Sequence, residues 1–336
     1  MEHRTLGLVG YLLHRGWLLL TLLAYAAAYV PPSVFWLAGF LALGIPLLGL
    51  GLVLLLVVDL MRGRYRAGGY VLLVIILGWG FWQDHWIGLP TTADNTRNQR
   101  GPTTWVVMSH NTDYLRGTES PEELRERLRV HQVDILCLQE FFYAPDVLEV
   151  IASAGLVHRA TGEVSPRHGY ATFSRFPIIE SASVVFDRSH NGFLRTDIQL
   201  PSGDTLRVFN VHLQSFGLER AASLRQNLRR LKAGMIQQIP QLEELLAQTS
   251  RPATLLCGDF NATAYGYIHT RLRWRWQDAF IASGIGWGRS YPSGFPILRI
   301  DYQWHDQNLH NFGLHTLTEQ TSDHCPLVGH YQIARP

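Results

Sequence analysis

"LLCGDFNAT", residues 255–263, sets an aspartate and an asparagine two positions apart where an apolar run stops. Residues i and i+2 of an extended chain face the same way, so Asp259 and Asn261 point together. Asn261-Ala262-Thr263 also fits the acceptor pattern for N-glycosylation, which would make the stretch a decorated surface loop. Whether the pair faces a sugar, solvent, or a metal and a phosphate decides whether the apolar run before it is a strand that feeds a site.

The same construction recurs along the chain. Asn111 closes "TWVVMSHN" (104–111), Glu140 closes "VDILCLQE" (133–140), and His212, with Asn210 on the same face, lies near the end of "TLRVFNVHLQ" (205–214). Asp301 opens "RIDYQWH" (299–305), and Asp323-His324 precede "PLVGHYQIA" (326–334). Taken singly, each has a plain explanation: a strand-end Asp is usually a turn former and a lone His a satisfied core or surface residue. Taken together, the runs converge polar side chains on one end of a set of strands.

The elements between these runs are mixed. "SPEELRERLRV" (120–130) opens a helix, with Ser120 as N-cap, Pro121 at the first helical position and Glu123 closing a capping box. "APDVLEVIASAG" is a helix ended by Gly155. "YATFSRFPII" and "ASVVFD" read as strands, "TDIQL-PSGD-TLRVFNVHLQ" as a hairpin, and about 218–249 as a long helix. Hairpins beside strand–helix–strand units predict mixed sheets. The 3 cysteines form no C-x-x-C pair and no disulfide framework, and Cys137 and Cys257 at least are expected to be buried small hydrophobes.

Residues 1–90 differ in kind. They are nearly free of charge and carry three apolar stretches, about 12–30, 35–58 and 69–88, expected as transmembrane helices. The first also fits a cleavable signal peptide. Arg4 and Arg15 precede it and Arg62, Arg64 and Arg66 crowd the turn after the second, whereas the "PPS" turn is uncharged. The positive-inside rule then puts the N-terminus in the cytoplasm and everything beyond residue 90 outside the plasma or inner membrane. A polar linker, 91–102, leads to a domain over 103–336. Residues 1–90 hold five arginines and three acidic residues, leaving 24 charges of each sign in the rest of the chain. Such neutrality argues against a duplex nucleic-acid partner, which calls for a basic footprint.

In order, Asn111, "LCLQE", "GYATFSRFPI" (169–178), "NVHLQS" (210–215), "GDFNA" (258–262), "RIDYQW" (299–304) and "SDHCPL" (322–327) resemble the motifs of the endonuclease/exonuclease/phosphatase superfamily, also called deoxyribonuclease-I-like. Its members include abasic-site endonucleases, inositol polyphosphate 5-phosphatases and neutral sphingomyelinases. The resemblance covers about 103–334 and implies an α/β fold, a four-layer α+β sandwich of two mixed sheets flanked by helices, with the site at one end of the strands.

It also implies roles. Glu140, with Asn111 and Asp323, would serve a Mg²⁺ (or Mn²⁺) site, since Mg²⁺ takes oxygen ligands and few carboxylates. His324 is a candidate general base or phosphate-binding cation, oriented by Asp301. Asp259 is the rival for deprotonating the water, with Asn261 donating to a phosphate oxygen and His212 stabilising the transition state or protonating the leaving group. Arg195, His168 and Asn210 are the expected substrate contacts, and a surface ion pair is the plain alternative for Arg195.

A site tethered beside a bilayer, with an "HLQS" stretch similar to that of neutral sphingomyelinases, is expected to cleave a phosphodiester in a phospholipid or sphingolipid head group. An exported nuclease, a phosphatase for soluble phosphoesters and a non-catalytic binding module are the alternatives. The glycan reading of Asn261 fails, because it would put a sugar inside the site the other motifs build.

Overall fold

A computed structural model describes residues 2–82, 103–115, 120–165, 168–187, 189–217, 221–249, 253–284, 288–292, 298–318 and 322–334. The 91–102 linker and Arg167 lie outside them.

Twelve strands form two six-stranded sheets. The first holds β1 (Thr104–Asn111), β2 (Ile135–Phe142), β3 (His158–Ser165), β4 (His168–Ser174), β11 (Leu309–Thr316) and β12 (Leu327–Ile333), in the order β11-β12-β1-β2-β4-β3. The second holds β5 (Ile178–Val185), β6 (Gly192–Gln199), β7 (Thr205–His212), β8 (Ala253–Asp259), β9 (Gln277–Asp278) and β10 (Asp301–His305), in the order β5-β6-β7-β8-β10-β9. Each sheet has a central parallel pair, β1 with β2 and β7 with β8, and antiparallel neighbours. Parallel strands need a crossover, and helices supply it.

The first two helices among these strands have the predicted signals, and the third has one that was not read from the sequence. α6 (Pro121–Val130) begins at a Ser120–Glu123 capping box, α7 (Pro145–Ser153) ends ahead of Gly155 at φ 90°, and α8 (Leu224–Ala247) begins at a second box, Ser223 with Gln226. α9 (Tyr267–Leu272) and α10 (Ala279–Ser283) are short.

Strand alternation sorts the side chains into layers. Trp105, Val107, Ile135 and Cys137 face Val208, Leu255 and Cys257 between the sheets. Val106, Met108, Leu136 and Leu138 face outward onto α6 and α7, while Phe209, Val211 and Leu256 face α8 and α9. Each fully buried large apolar side chain contributes about 1.5–3 kcal/mol. The three described cysteines are buried and unbridged. This is the expected sandwich of two mixed sheets flanked by helices.

The three expected spans take another form. α1 (Glu2–Ala27) contains one apolar window long enough to cross a bilayer, Leu8–Ala27. The second stretch is α2 (Leu37–Leu43) and α3 (Ile45–Met61), bent by 47° at Gly44. Pro46 lacks the N–H that would continue the first helix into the second. In the third, α4 (Tyr65–Leu77) has 13 residues, about 20 Å at 1.5 Å per residue, and stops at Gly78 before α5 (Trp79–Trp82). The ring of Tyr25 fills the space a Cβ on Gly78 would occupy. Residues 83–88 of that stretch lie outside the described residues. His14 Nε2 lies 2.8 Å from Asp59 Oδ2 and ties α1 to α3.

Candidate active site

The parallel pairs bring the strand-end residues together. His212 is in register with Asp259 across β7 and β8, and Asp259 with Asp301 across β8 and β10, so three polar residues form a row on adjacent strands. Facing them, Asn111 and Gln139 are in register at the ends of β1 and β2, with Glu140 one residue on. Glu140 (φ 47°), at the irregularity in β2 between Leu138 and Phe141, and Asn261 (φ 48°), just past β8, both adopt the left-handed conformation, which turns the chain sharply at each. Gly258 is required beside them: at φ 133°, a Cβ there would lie 2.1 Å from the Val211 carbonyl oxygen.

Asn111 joins the two sheets. Its amide nitrogen donates to Glu140 Oε1 at 3.3 Å and to Asp259 Oδ2 at 3.1 Å. Asp259 also accepts the Asn261 backbone N–H (2.8 Å) and amide nitrogen (3.0 Å). The second bond of that amide goes to the Leu213 carbonyl at 3.0 Å, so Asn261 spends its donors on orienting Asp259. His212 Nε2 is 3.5 Å from both Glu140 Oε1 and Asp259 Oδ2 and, buried, has no hydrogen-bond partner. His324 Nδ1 bonds Asp301 Oδ2 at 2.9 Å, and its Nε2 lies 3.7 Å from Asp259 Oδ2 and 3.9 Å from Asp323 Oδ1.

Two serines hold the His324 side in place. Ser322 donates to the Asn111 carbonyl (2.8 Å) and accepts the His324 N–H, and Ser290 accepts the backbone N–H groups of Ile300 and Asp301. Ser322 opens the "SDHCPL" motif, whereas Ser290 carries no sequence signal, because its place is set by a loop whose course only the fold fixes.

Burial and charge tune these groups. Burial raises the Asp259 carboxyl to about 6 despite the nearby His324, and it raises Glu140 as well. Burial lowers His212, with Asp259 partly opposing. Burial alone would also lower His324, but the charges of Asp301, Asp259 and Asp323 carry it up to about 10.

Beside Glu140 and His212 opens a cavity of about 660 Å³ whose walls include Tyr114, Phe142, Tyr170 and His190. The sequence reading names none of these as site residues: Tyr170 lies in the "GYATFSRFPI" motif, which reads only as a strand, and Tyr114, Phe142 and His190 lie outside the motifs.

Two of the three expected substrate contacts, Arg195 and Asn210, are not brought to this cavity. Arg195 lies within β6, opposite Phe209, and pairs with Glu180. Asn210 is fully buried and bridges the sheets: it donates to the Leu138 and Ala171 carbonyls at 3.0 Å and accepts from Gln139 at 2.7 Å. His168 opens β4, and its side chain lies outside the described residues.

A divalent cation fits this donor set. The one hydrogen bond the Glu140 carboxylate accepts is Asn111's, although burial disfavours its charge. Donor atoms of Asp259, Asp301 and His324 lie within 4.8 Å of one another. Glu140 and Asp259, hard oxygen donors whose carboxyls burial raises, are what Mg²⁺ or Mn²⁺ neutralises.

Facing mixed sheets with carboxylates, amides and a His–Asp pair at one end define a phosphoester-hydrolase type of domain. Residues 95–324 match the endonuclease/exonuclease/phosphatase family, and the chain belongs to it. Members of this family hydrolyse phosphoesters, typically with a divalent metal. Residues 6–85 match a separate domain of unknown function. Comparison with curated proteins by sequence gave no match.

Among solved structures the chain is similar to an endonuclease/exonuclease/phosphatase from Beutenbergia cavernae (TM-score 0.55, 17% identity, 69% of this chain and 72% of that one). It is also similar to the catalytic domain of human Nocturnin (0.53, 20%, 71% and 98%) and to sphingomyelinase C from Streptomyces griseocarneus (0.50, 16%, 68% and 99%). At these identities the likeness is one of fold.

Proposed function

We propose that the chain is a membrane-anchored, Mg²⁺- or Mn²⁺-dependent phosphodiesterase that cleaves a phospholipid or sphingolipid head group by in-line attack of water. The observation that carries this reading is the joining of two units: a strand-end cluster complete in the residues hydrolysis needs, and a helical unit with an apolar outer surface. Leu13 (69% exposed), Leu47 (62%) and Leu77 (62%) face outward from α1, α3 and α4. Contiguous apolar exposure on this scale calls for lipid or a partner. Trp36 and Gly39 approach α8 of the catalytic domain and the Gly80 carbonyl accepts from Arg273, whereas Arg62, Arg64 and Arg66 form the turn at the other end of α3 and α4. That arrangement supports a cytoplasmic arginine turn and an extracytoplasmic catalytic domain.

In this reading Glu140, with Asn111 orienting it and Asp323 nearby, holds the cation, which supplies charge neutralisation at the phosphate. Asp259 takes the proton of the attacking water: it is buried, raised towards neutrality and fixed by Asn111 and Asn261. His324 sits among three carboxylates and holds its proton, so it acts as a cation towards the phosphate, oriented by Asp301. His212, with Nε2 aimed between Glu140 and Asp259, steadies the developing charge.

The test is release of water-soluble phosphorylated head groups from vesicles of mixed phospholipid and sphingomyelin, run beside plasmid nicking and release of inorganic phosphate. Head-group release that EDTA abolishes is expected. Nicking with no lipid turnover would assign the site to nucleic acid.

A further inference from the structure

Two of the places where the helical unit touches the catalytic domain lead into the site. The first is the chain after Asn261. Tyr265, four residues on, is 7% exposed and packs among buried residues of the helical unit, a cluster that includes Ala24, Ala28 and Val74. Between them Ala262 and Ala264 are buried against the second sheet, and the Ala262 carbonyl accepts the Tyr302 hydroxyl at 2.9 Å, so this stretch has little slack.

The second is α8. The Lys232 ammonium lies 5.6 Å from the Trp36 ring centre, and Met235 presses on Gly39 so closely that a Cβ there would come within 2.7 Å of its sulfur. Three residues further, Gln238 donates to the Asn261 carbonyl at 3.0 Å and to the Gln214 carbonyl at 2.8 Å. Residues 232, 235 and 238 share one face of the helix, so one rigid rod touches the helical unit and the catalytic loop.

We infer that the helical unit is a positioning element of the active site: docked on Tyr265 and Met235, it fixes the 259–265 loop and thereby the Asn261 that aims Asp259. The inference rests on the reading of Asp259 as the base. A left-handed non-glycine residue is strained and persists only where its surroundings over-determine it. For Asn261 the surroundings are its own side-chain bonds, the Gln238 bond and the Tyr265 anchor. Loosening the last two lets the loop relax and turns Asp259 away from the attacking water. Catalysis is thereby confined to chains whose helices are assembled.

The experiment uses the full chain in lipid nanodiscs, with bis(p-nitrophenyl) phosphate and Mg²⁺ so that substrate delivery by the bilayer plays no part. Tyr265→Ala and Gly39→Leu, neither of which touches the cavity, are each expected to lower kcat by about tenfold or more with KM within about twofold. They should speed amide exchange over 259–266 while leaving β1 and β2 protected. Tyr265→Phe, which keeps the ring, should restore both readouts. Unchanged kcat and exchange in both variants, or equal loss of protection in β1 and β2, would overturn the inference. A wild-type chain that hydrolyses no phosphodiester would sink the reading of the site, and exchange over 259–266 would still decide the coupling.

Discussion

Two buried carboxylates of the second sheet, one on its edge strand β9 and one at the end of β8, show what the fold is built to do. Asp278, at the end of β9, accepts from Arg299 Nη1 at 2.9 Å and lies 3.0 Å from His269 Nε2, with the guanidinium also over the Phe280 and Tyr302 rings. Although burial opposes it, the Arg299 charge and the His269 bond hold its carboxyl far below the usual range. Asp259, equally buried, has amides and two histidines around it but no arginine, and burial raises it. The first network is balanced in charge, its guanidinium lying over aromatic rings where its Nε and Nη2 find no acceptor. The second is short of positive charge, as a site awaiting a cation and a phosphate must be.

The largest expected effect separates the two. Asp259→Asn should lower kcat by about 10³-fold, as loss of a general base does, and lower thermal stability less than Asp278→Asn: it removes a charge that burial disfavours, although an amide nitrogen cannot accept the N–H bonds that one carboxylate oxygen takes. Steady-state kinetics beside a melting curve checks both halves. A fall in stability as large as that of Asp278→Asn would erase the contrast.

Asp278→Asn should do the reverse. Breaking a buried ion pair leaves Arg299 uncompensated and costs about 3–5 kcal/mol in denaturant unfolding. Activity per folded molecule should stay near that of the wild type.

His269 sharpens the comparison through pH. Burial lowers it from 6.5 to about 4 despite Asp278, so between those values the unfolded chain binds more protons than the folded one. Stability should therefore be unaffected above pH 6.5 and decline as pH falls towards 4. His269→Gln should flatten that decline in melting curves taken from pH 7 to 4.

The smallest effect is expected at Arg195. Its partner Glu180 is largely exposed, so Arg195→Ala should change stability by about 1 kcal/mol or less and leave KM unchanged. A KM rise of about tenfold would bring Arg195 into the substrate path.

The strand-end site was legible because its residues obey a period: Asp259 and Asn261 at i and i+2, after apolar runs that the parallel pairs then align. Capping boxes at Ser120 and Ser223 wrote two helix starts into local sequence, although only the first was read. Strand β3 was illegible, since "HRATGEVS" buries only Ala160 and Gly162, and β11 is interrupted by a bulge between Asn311 and Gly313. Asn210 misled for a related reason: alternation shows that it shares a face with His212, but not that the facing sheet covers it. The spans misled because hydropathy registers apolar length and is blind to the bend at Gly44 and the stop at Gly78.

The central claim is that the strand-end cluster hydrolyses a lipid phosphodiester with a divalent metal. It is tested most directly by incubating bilayers with the full-length wild type and with His324→Ala, each with Mg²⁺ or with EDTA, and measuring the phosphorylated head groups released. Release by the wild type with Mg²⁺, lost with EDTA and reduced at least about 100-fold by His324→Ala, is the predicted result. Equal release by both proteins, or release untouched by EDTA, would contradict it.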